Sequence, residues 1–227
     1  MLPRRKPHLS APSPCPYLRG ETVRFAYFFA HSVGEEELAD LLSRGWRKFG
    51  YYYFRPACPE CGKCIPIRLP VRALRPGRSR RKLIRRNGNT RVIIGPPRTP
   101  ERAFEVYREH SATKFGKSAT IDEFMASFYT PSCPALQSEY RIDGELAAVG
   151  FLDRAANALS SVYFVYRRHF KRYGLGIYSV FTESEYARGL GLDYYYLGYY
   201  IADNQSMSYK GTFEPNEKLD WETGRWA

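Results

Sequence analysis

The chain has 227 residues, of which 44% are hydrophobic and 16% aromatic, so it holds enough apolar material for a core, and a disordered protein is excluded. Its formal net charge of +12 lies in one segment, because residues 61–100 hold 12 Lys or Arg and no Asp or Glu, whereas the other residues hold 23 basic and 23 acidic ones. No apolar run approaches the roughly 18 residues of a membrane-spanning helix, and the N-terminus lacks the apolar stretch of a secretory signal, which predicts a cytoplasmic protein without a membrane partner.

The first predicted elements are short. Ser32 and Glu35 form a capping box for a helix that Gly45 ends. Residues 46–54, with three consecutive tyrosines, are strongly β-prone, and residues 65–74 predict an extended segment. Together they predict a small region that mixes helix and strand.

A linker rich in Gly and Pro begins at Gly95 and predicts a boundary between an N-terminal region, residues 1–95, and a second domain, residues 96–227. The elements of the second domain are, in chain order, a helix capped by Thr99 and reaching about Phe115, a helix through Phe128 with a capping box of Thr120 and Glu123, strands at 136–142 and 145–153 joined by the turn Asp143-Gly144, a strand at 159–166, a helix at 177–190 and a strand at 193–201.

A glycine loop lies between the third strand and the helix of this domain. It reads Lys171-Arg-Tyr-Gly174-Leu-Gly176, and its glycines would let backbone N–H groups approach a phosphate at the start of the helix. The order of elements and this loop resemble the core of the GNAT acetyltransferases. We therefore expect an α+β fold, an α/β sandwich with a GNAT-like acyltransferase core preceded by a smaller mixed α+β region. An ordinary acyl-CoA acetyltransferase is one hypothesis, but it leaves the basic segment unexplained.

The basic segment predicts a polyanionic partner, since each Lys or Arg on a phosphate releases a condensed counterion. Its Arg-rich centre lacks a clean amphipathic helical stripe, which favours nucleic acid over a membrane surface. The candidate phosphate contacts are Arg78, Arg80, Arg81, Lys82, Arg85 and Arg86.

A cysteine run overlaps the start of the basic segment. Cys58, Cys61 and Cys64 repeat as C-x₂-C-x₂-C, which resembles part of an iron–sulfur run, and Cys15 would supply a fourth thiolate if the Pro-rich N-terminal arm folds back. Zinc is the other candidate metal, and three reduced thiols without a metal are the alternative. An RNA-binding metal-knuckle protein without enzymatic activity would explain the cysteines and the basic segment, but it leaves the second domain without a role.

Five motifs in order make a resemblance over nearly the whole chain. They are Pro14-Cys15-Pro16-Tyr17-Leu18, the run from Phe54 through the three cysteines to Arg68, the two Arg clusters at Arg78 and Arg85, Tyr194-Tyr195-Tyr196-Leu197-Gly198-Tyr199-Tyr200-Ile201, and Met207-Ser208-Tyr209-Lys210 with Phe213, Pro215 and Glu217. They resemble the bacterial aspartate/glutamate leucyltransferases, relatives of the eukaryotic arginyl-tRNA–protein transferases. The resemblance implies N-degron chemistry that marks proteins for degradation. In it, Leu, or in relatives Arg, passes from aminoacyl-tRNA to the N-terminal amine of proteins that begin with Asp or Glu.

This reaction needs little acid–base help and no cofactor. The nucleophile is an α-amine with a pKa of about 7.7–8.0, and the ester is already activated, so positioning can supply about 7–11 kcal/mol of the barrier reduction. We therefore expect no nucleophilic triad, since the spacing of His31, His110 and His169 from other residues matches no triad pattern and His8 lies in the N-terminal tail.

The candidate site residues are chosen beside the family motifs. The acidic first residue of the acceptor requires a cation, and Tyr hydroxyls could orient the amine or bind the oxyanion. Aromatic strands could also stack the unpaired end of the tRNA. The candidates are Arg55, Arg68 and Lys210 for the acidic side chain, Tyr209 for catalysis, Tyr199 and Tyr200 for the groove that holds the aminoacyl group, and Glu139 as a proton acceptor or an exposed strand residue.

Overall fold

A computed structural model of the chain describes residues 6–130 and 132–227, so the first five residues of the predicted N-terminal arm lie outside the described residues. The strands are β1 His8–Leu9, β2 Ser13–Pro14, β3 Thr22–Val23, β4 Phe25–Phe29, β5 Arg47–Phe49, β6 Tyr52–Pro56, β7 Ile65–Pro70, β8 Arg91–Gly95, β9 Ala135–Ile142, β10 Glu145–Ala155, β11 Ala158–Tyr166, β12 Tyr194–Tyr200 and β13 Glu217–Lys218. The α-helices are α1 Glu35–Ser43, α2 Arg78–Arg86, α3 Pro100–Phe115, α4 Ile121–Phe124, α5 Leu175–Gly189 and α6 Gln205–Ser208.

The first sheet has four antiparallel strands in the order β1–β4–β6–β5, and β2 pairs separately with β3. Helix α1 packs on one face of this sheet through its buried leucines. The predicted capping box at its start is wrong, because Gly34 is the N-cap and makes no side-chain hydrogen bond. Glu35 is the first helical residue, so Ser32 lies too far upstream to cap it.

The second sheet has seven strands in the order β13–β7–β12–β11–β10–β9–β8. All neighbours are antiparallel except β11 and β12, which are parallel. The predicted hairpin turn is confirmed, since Asp143 and Gly144 both have positive φ, 50° and 84°, as a two-residue turn between twisted strands requires. The sheet takes strands from both predicted regions, because β7 and β8 lie within residues 1–95 and its other strands follow.

Helices cover both faces of the second sheet. Helix α3 packs through Ala103 and Val106 against Val149, whereas α5 packs through Leu175 against the neighbouring Ala148. Thr99 is the N-cap of α3 as predicted, although its hydroxyl donates to Glu139 instead of capping. The Thr120 cap of α4 is confirmed by a hydrogen bond from the Glu123 backbone N–H, and a π-helical turn, Met125–Tyr129, continues the helix.

The predicted fold class is confirmed: the protein is α+β, and α3 to β12 form a GNAT-like core in the predicted order. Buried polar contacts fix the first sheet against this core. The Nζ of Lys48 on β5 lies 3.2 Å from a carboxylate oxygen of Asp153 on β10, and both side chains are buried. The Tyr53 hydroxyl lies 3.1 Å from the Ser132 hydroxyl. Within the described residues, no helix is both long and apolar enough to cross a membrane.

Candidate active site

The candidate site lies where β11 and β12 separate. These parallel strands pair only over Ala158–Tyr194, Leu159–Tyr195 and Ser160–Tyr196, although both continue further. A cavity of about 200 Å³ opens beyond the last pair, with residues 161–163 on one side and residues 197–199 on the other. We call it the cation cavity for the two basic side chains described next.

Two basic side chains that lack an ion pair among the described residues line the cation cavity, and Lys48, which also lines it, is paired with Asp153. Arg47 reaches in from β5, where its guanidinium donates to the Ser160 hydroxyl at 2.7 Å and to the Ser161 carbonyl, and burial lowers its pKa. The Lys210 Nζ donates to the Tyr199 carbonyl at 2.9 Å, and burial together with the charge of Arg47 lowers its pKa to about 7. Among residues 6–130 and 132–227, no carboxylate lies within 4.0 Å of either cation. Two cations held together without a carboxylate in salt-bridge contact form a site for an anion.

A second cavity, of about 270 Å³, lies at the glycine loop and is called the loop cavity here. Tyr163 lines the cation cavity and packs in the core cluster beneath α3, whereas Phe164 lines the loop cavity and packs in the cluster beneath α5, so the two cavities lie on opposite faces of β11. Gly174, at φ 60°, begins helix α5 at this cavity, and Lys114 and Lys171 also line it. A helix N-terminus beside two lysines favours a phosphate.

The six predicted phosphate-binding residues all lie on helix α2, which packs directly on the glycine loop. A Cβ at Gly174 would lie 2.8 Å from Leu83 of α2, so this glycine permits the contact. The Asn87 amide at the end of α2 donates to the Tyr173 carbonyl at 2.8 Å, and Arg86 donates to the Arg172 carbonyl at 2.7 Å. Arg80 is partly buried against Thr212 and the other five are exposed, and none has a carboxylate within 4.0 Å in the described part of the chain.

The three residues predicted to bind the acidic side chain do not lie together. Lys210 lines the cation cavity, but Arg68 donates to Glu217 at 2.7 Å and to the Tyr196 hydroxyl at 3.0 Å, so its charge is already paired. Arg55 lies beside the cysteines, over the ring of Trp46. Only one of the three therefore faces the anion site.

The predicted tyrosines also separate. Tyr199 lines the cation cavity and donates its hydroxyl to the Gly45 carbonyl at 2.8 Å. Tyr209 lines the loop cavity and precedes Lys210, so these neighbours face different cavities. Tyr200 lines neither cavity; its ring lies against Gly211 and under the ammonium of Lys218. Burial, followed by the charge of Glu183, raises the pKa of Tyr209, which keeps its hydroxyl a donor at neutral pH.

Glu139 is not exposed, as one alternative from the sequence had it, because only 2% of the residue is accessible. Its carboxylate is 3.0 Å from Arg98 and 2.9 Å from Arg141. Burial acts to raise its pKa, but the hydrogen bonds and charges of these two arginines outweigh burial and lower it. A carboxylate held between two arginines is a poor proton acceptor. Glu139 also lines neither the cation cavity nor the loop cavity.

The cysteine run surrounds an open cavity of about 850 Å³ together with Arg55 and Trp221. Burial, and then the nearby thiols of Cys15, Cys58 and Cys61, raise the pKa of Cys64 to about 12. Across residues 6–130 and 132–227, however, no three His, Cys, Asp or Glu side chains are arranged to hold a metal ion. The metal site stays a prediction, and we assign no step of the chemistry to it.

Arg47 was not among the residues predicted for the site. A signal for it exists, since Arg47 and Lys48 stand at the start of a β-prone run of aromatic residues, and successive strand residues face opposite ways. The two cations therefore point to opposite faces of the strand, and a cation that is buried there requires a partner or a ligand.

Comparison with known proteins identifies the family. A model described as the N terminus of arginine-tRNA-protein transferase matches residues 13–82, and one described as its C terminus matches residues 102–220. The chain belongs to this transferase family. It is therefore an aminoacyltransferase enzyme, with aminoacyl-tRNA as donor and protein as acceptor.

The chain is similar to curated proteins named aspartate/glutamate leucyltransferase. The protein of Chromobacterium violaceum is 34% identical over 224 residues, which cover 96% of this chain and 92% of that relative. The protein of Campylobacter jejuni is 31% identical over 219 residues, covering 90% and 89%. Among solved structures, L-PGS from Bacillus licheniformis aligns with a TM-score of 0.46 and 14% identity over 81% of this chain, which spans 55% of that structure.

Proposed function

We propose that this protein transfers Leu from leucyl-tRNA to the N-terminal amine of proteins that begin with Asp or Glu. The observation that carries the proposal is the cation cavity, where Arg47 and Lys210 lie without a carboxylate among the described residues. An acidic first side chain would supply that anion, and it would bring its own α-amine to the gap between β11 and β12. The names of the similar curated proteins support this acceptor specificity.

The donor reaches the gap from the opposite face. Helix α2 offers its exposed basic residues to the phosphates of the tRNA, and it rests on the glycine loop at the loop cavity. The unpaired 3′ end of the tRNA would then place a phosphate near Lys171 and the start of α5, and the aminoacyl ester would extend toward β12. Donor and acceptor thus meet from two sides of the gap.

The transfer forms one bond and breaks another. The amine nitrogen attacks the ester carbonyl carbon and forms the amide bond, the bond from that carbon to the ribose oxygen breaks, and the proton of the amine passes to the ribose oxygen. The cavities hold both partners in place, and the neutral Tyr209 hydroxyl lies at the loop cavity as a donor for the developing oxyanion.

The lining of the cavities favours Leu over Arg as the transferred residue. Neither the cation cavity nor the loop cavity is lined by an Asp or a Glu of the described chain. A guanidinium group would therefore have no acid to bind, and it would lie near Lys114, Lys171 or Lys210. An uncharged Leu side chain avoids both costs.

A transfer assay tests the proposal. Protein purified without oxygen is given tRNA charged with radiolabelled Leu or Arg, together with matched peptides that begin with Asp, Glu or Ala. We expect label from leucyl-tRNA in the Asp and Glu peptides only. Label from arginyl-tRNA would assign the arginyl reaction instead, and no label from either tRNA would refute the transferase assignment for these acceptors.

A matched pair of variants tests the role of the cavity. Arg47→Met should lower kcat/KM for the Asp peptide about 100-fold, because truncating one partner of a buried charge pair costs about 2–5 kcal/mol. Arg44→Met removes a neighbouring exposed arginine and should leave transfer unchanged. Arg47→Lys keeps the charge and should recover part of the loss, which separates acceptor binding from a defect in folding. Equal activity of the Arg47→Met and Arg44→Met proteins would rule out the cation cavity as the binding site for the acidic first residue.

A further inference from the structure

One face of the first sheet is covered by aromatic rings. The face carries Phe25, Tyr27 and Phe29 from β4, because alternate residues share a face, and it carries Tyr52 and Phe54 from β6, because these pair with Phe29 and Tyr27. The rings of Tyr27 and Tyr52 are 5.4 Å apart, and those of Phe29 and Tyr52 are 5.6 Å apart. We call this surface the aromatic face.

The aromatic face is partly open to solvent in the described structure, where Phe25, Tyr27, Tyr52 and Phe54 are half-buried. Phe29 is 66% exposed and Phe49 of β5, which pairs with Tyr52, is 37% exposed. The opposite face of the same sheet packs on helix α1 and is buried at Ala26 and Tyr53. A protein that buries one face of a sheet and leaves a contiguous patch of aromatic rings on the other has a surface typical of a binding site.

The aromatic face leads into the cation cavity. Arg47 pairs with Phe54 in the sheet, so its side chain leaves β5 on the aromatic face before it reaches Ser160. Phe49 and Phe54 also line the cavity itself. A chain whose first residue sits beside Arg47 therefore meets these rings at once.

We propose that the aromatic face binds the acceptor polypeptide over the residues that follow its acidic N-terminal residue, with a preference for apolar side chains there. This inference rests on the proposed function, since it takes the cation cavity as the place of the first residue. From β5 to β1 the sheet spans three strand spacings, about 14 Å, which an extended chain covers with about four residues. Acceptor positions 2–5 are therefore the ones in contact.

The arrangement of charge favours a polypeptide over the unpaired end of the tRNA. Single-stranded nucleic acid binds to aromatic platforms that also carry cations for its phosphates. Among the paired residues of the sheet, Arg47 is the one Lys or Arg on the aromatic face, since Lys48 and Arg55 pair with Tyr53 and Ala26 on the other. Helix α2 and the glycine loop, which suit phosphates, lie at the loop cavity on the far face of β11.

The experiment measures peptide binding without tRNA, so it does not depend on transfer. Two peptides carry a C-terminal fluorophore and begin with Asp; one continues with Leu and Val at positions 2–5 and the other with Gly and Ser. We expect the full-length protein to bind the apolar peptide about tenfold more tightly in fluorescence anisotropy. The reason is that the apolar side chains of the peptide are removed from water when they pack against the rings. The double variant Phe29→Ser, Tyr52→Ser should lose this preference and keep its affinity for the Gly/Ser peptide.

A control variant and two further readouts complete the design. Leu9→Ser removes another exposed apolar side chain of the sheet, which pairs with Ala26 on the opposite face, and should keep the preference.

Equal binding of both peptides by the unaltered protein, or a preference that survives the double variant, would overturn the inference. Weaker tRNA binding by the double variant with the peptide preference intact would assign the face to nucleic acid, and a dimer that only the double variant abolishes would assign it to a second copy. If the predicted preference is found but no Leu is transferred, the result refutes the proposed function and supports the peptide-binding site.

Discussion

Lys210 has to be charged to bind a carboxylate, yet burial and the charge of Arg47 lower its pKa to about 7. A lysine with a lowered pKa is protonated below that value and loses its charge as the pH rises through it. The attacking amine behaves in the opposite sense, since it becomes a nucleophile only as the pH rises toward its own pKa of about 7.7–8.0. The two groups confine efficient transfer to a narrow range of pH.

The pH dependence of KM for the acceptor tests this role of Lys210. Between pH 6 and pH 9, KM for an Asp peptide should rise, because the ammonium deprotonates and the anion site loses half of its charge. The variant Lys210→Arg keeps its charge over this range and should show a nearly flat KM in steady-state transfer kinetics. A KM that rises in the same way in both proteins would contradict the assignment.

Single residues could be predicted where one motif determines them and not where a distant partner does. Lys210 was found beside its motif, but Arg68 was assigned to the acceptor although Glu217, far along the chain, pairs with it. Glu139 reads as a surface residue although Arg141 follows two positions later on the same strand, because its second partner, Arg98, is brought to it only by the pairing of β8 with β9. A sequence shows which residues carry charge, and the fold decides which charges remain unpaired.

At the scale of elements, helix α2 is predicted to carry the electrostatic part of tRNA binding. The variant with Arg81, Lys82 and Arg85 changed to Ala should bind tRNA more weakly, and the slope of log affinity against log salt should become shallower by about 2–3, since each phosphate contact contributes about 0.7–0.9. These side chains are exposed, so stability should hardly change. Filter binding at several salt concentrations measures the slope.

The matched control changes Arg91, Arg102 and Arg108 to Ala, which removes the same charge from exposed positions outside α2. Its slope should stay close to that of the unaltered protein. At saturating tRNA, kcat for transfer should be the same in both triple variants, because α2 binds the donor and does not reach the reacting atoms. An equal loss of slope in the two variants would show a diffuse effect of net charge in place of a binding helix.

The contact between α2 and the glycine loop gives a second prediction at this scale. Gly174→Ala should destabilise the protein, because φ is 60° there, where an L-residue costs about 1–2 kcal/mol, and because the new methyl would lie 2.8 Å from Leu83. Shortening the neighbour should relieve the second cost. The double variant Gly174→Ala, Leu83→Ala should therefore lose less stability than the sum of the two single variants in urea unfolding, whereas additive losses would contradict the contact.

Most helices and strands followed from local signals, and α2 shows where such signals end. The Asp143-Gly144 turn, the Thr120 cap and the Thr99 position are set by neighbouring residues and were predicted. Helix α2 has two adjacent apolar residues, Leu83 and Ile84, among basic and polar ones, so no apolar repeat at helical spacing indicated a helix. Its packing on the glycine loop stabilises the helix, and that packing depends on residues about 90 positions away.

At the scale of the whole molecule, sequence order and spatial order differ. The linker after residue 95 predicted a boundary, and the second sheet includes β7 and β8, which precede it, beside the strands of the GNAT-like core. Such pairings join distant parts of the chain, and no local pattern encodes them. The first sheet contributes Arg47 to the gap between β11 and β12, so the cation cavity exists only where both sheets are held together.

The buried ion pair between the sheets provides the last prediction. Lys48 and Asp153 are 3.2 Å apart and both nearly inaccessible, and the Cys133 thiol also donates to Asp153 at 3.4 Å. Lys48→Met should lower the free energy of unfolding by about 3–5 kcal/mol, because it leaves the Asp153 charge buried without its partner. The double variant Lys48→Met, Asp153→Leu removes both charges and should regain most of that loss in urea unfolding, since the cost comes from the unpaired charge. If the double variant were as unstable as the single one, packing around Lys48, and not the ion pair, would hold the first sheet against the core.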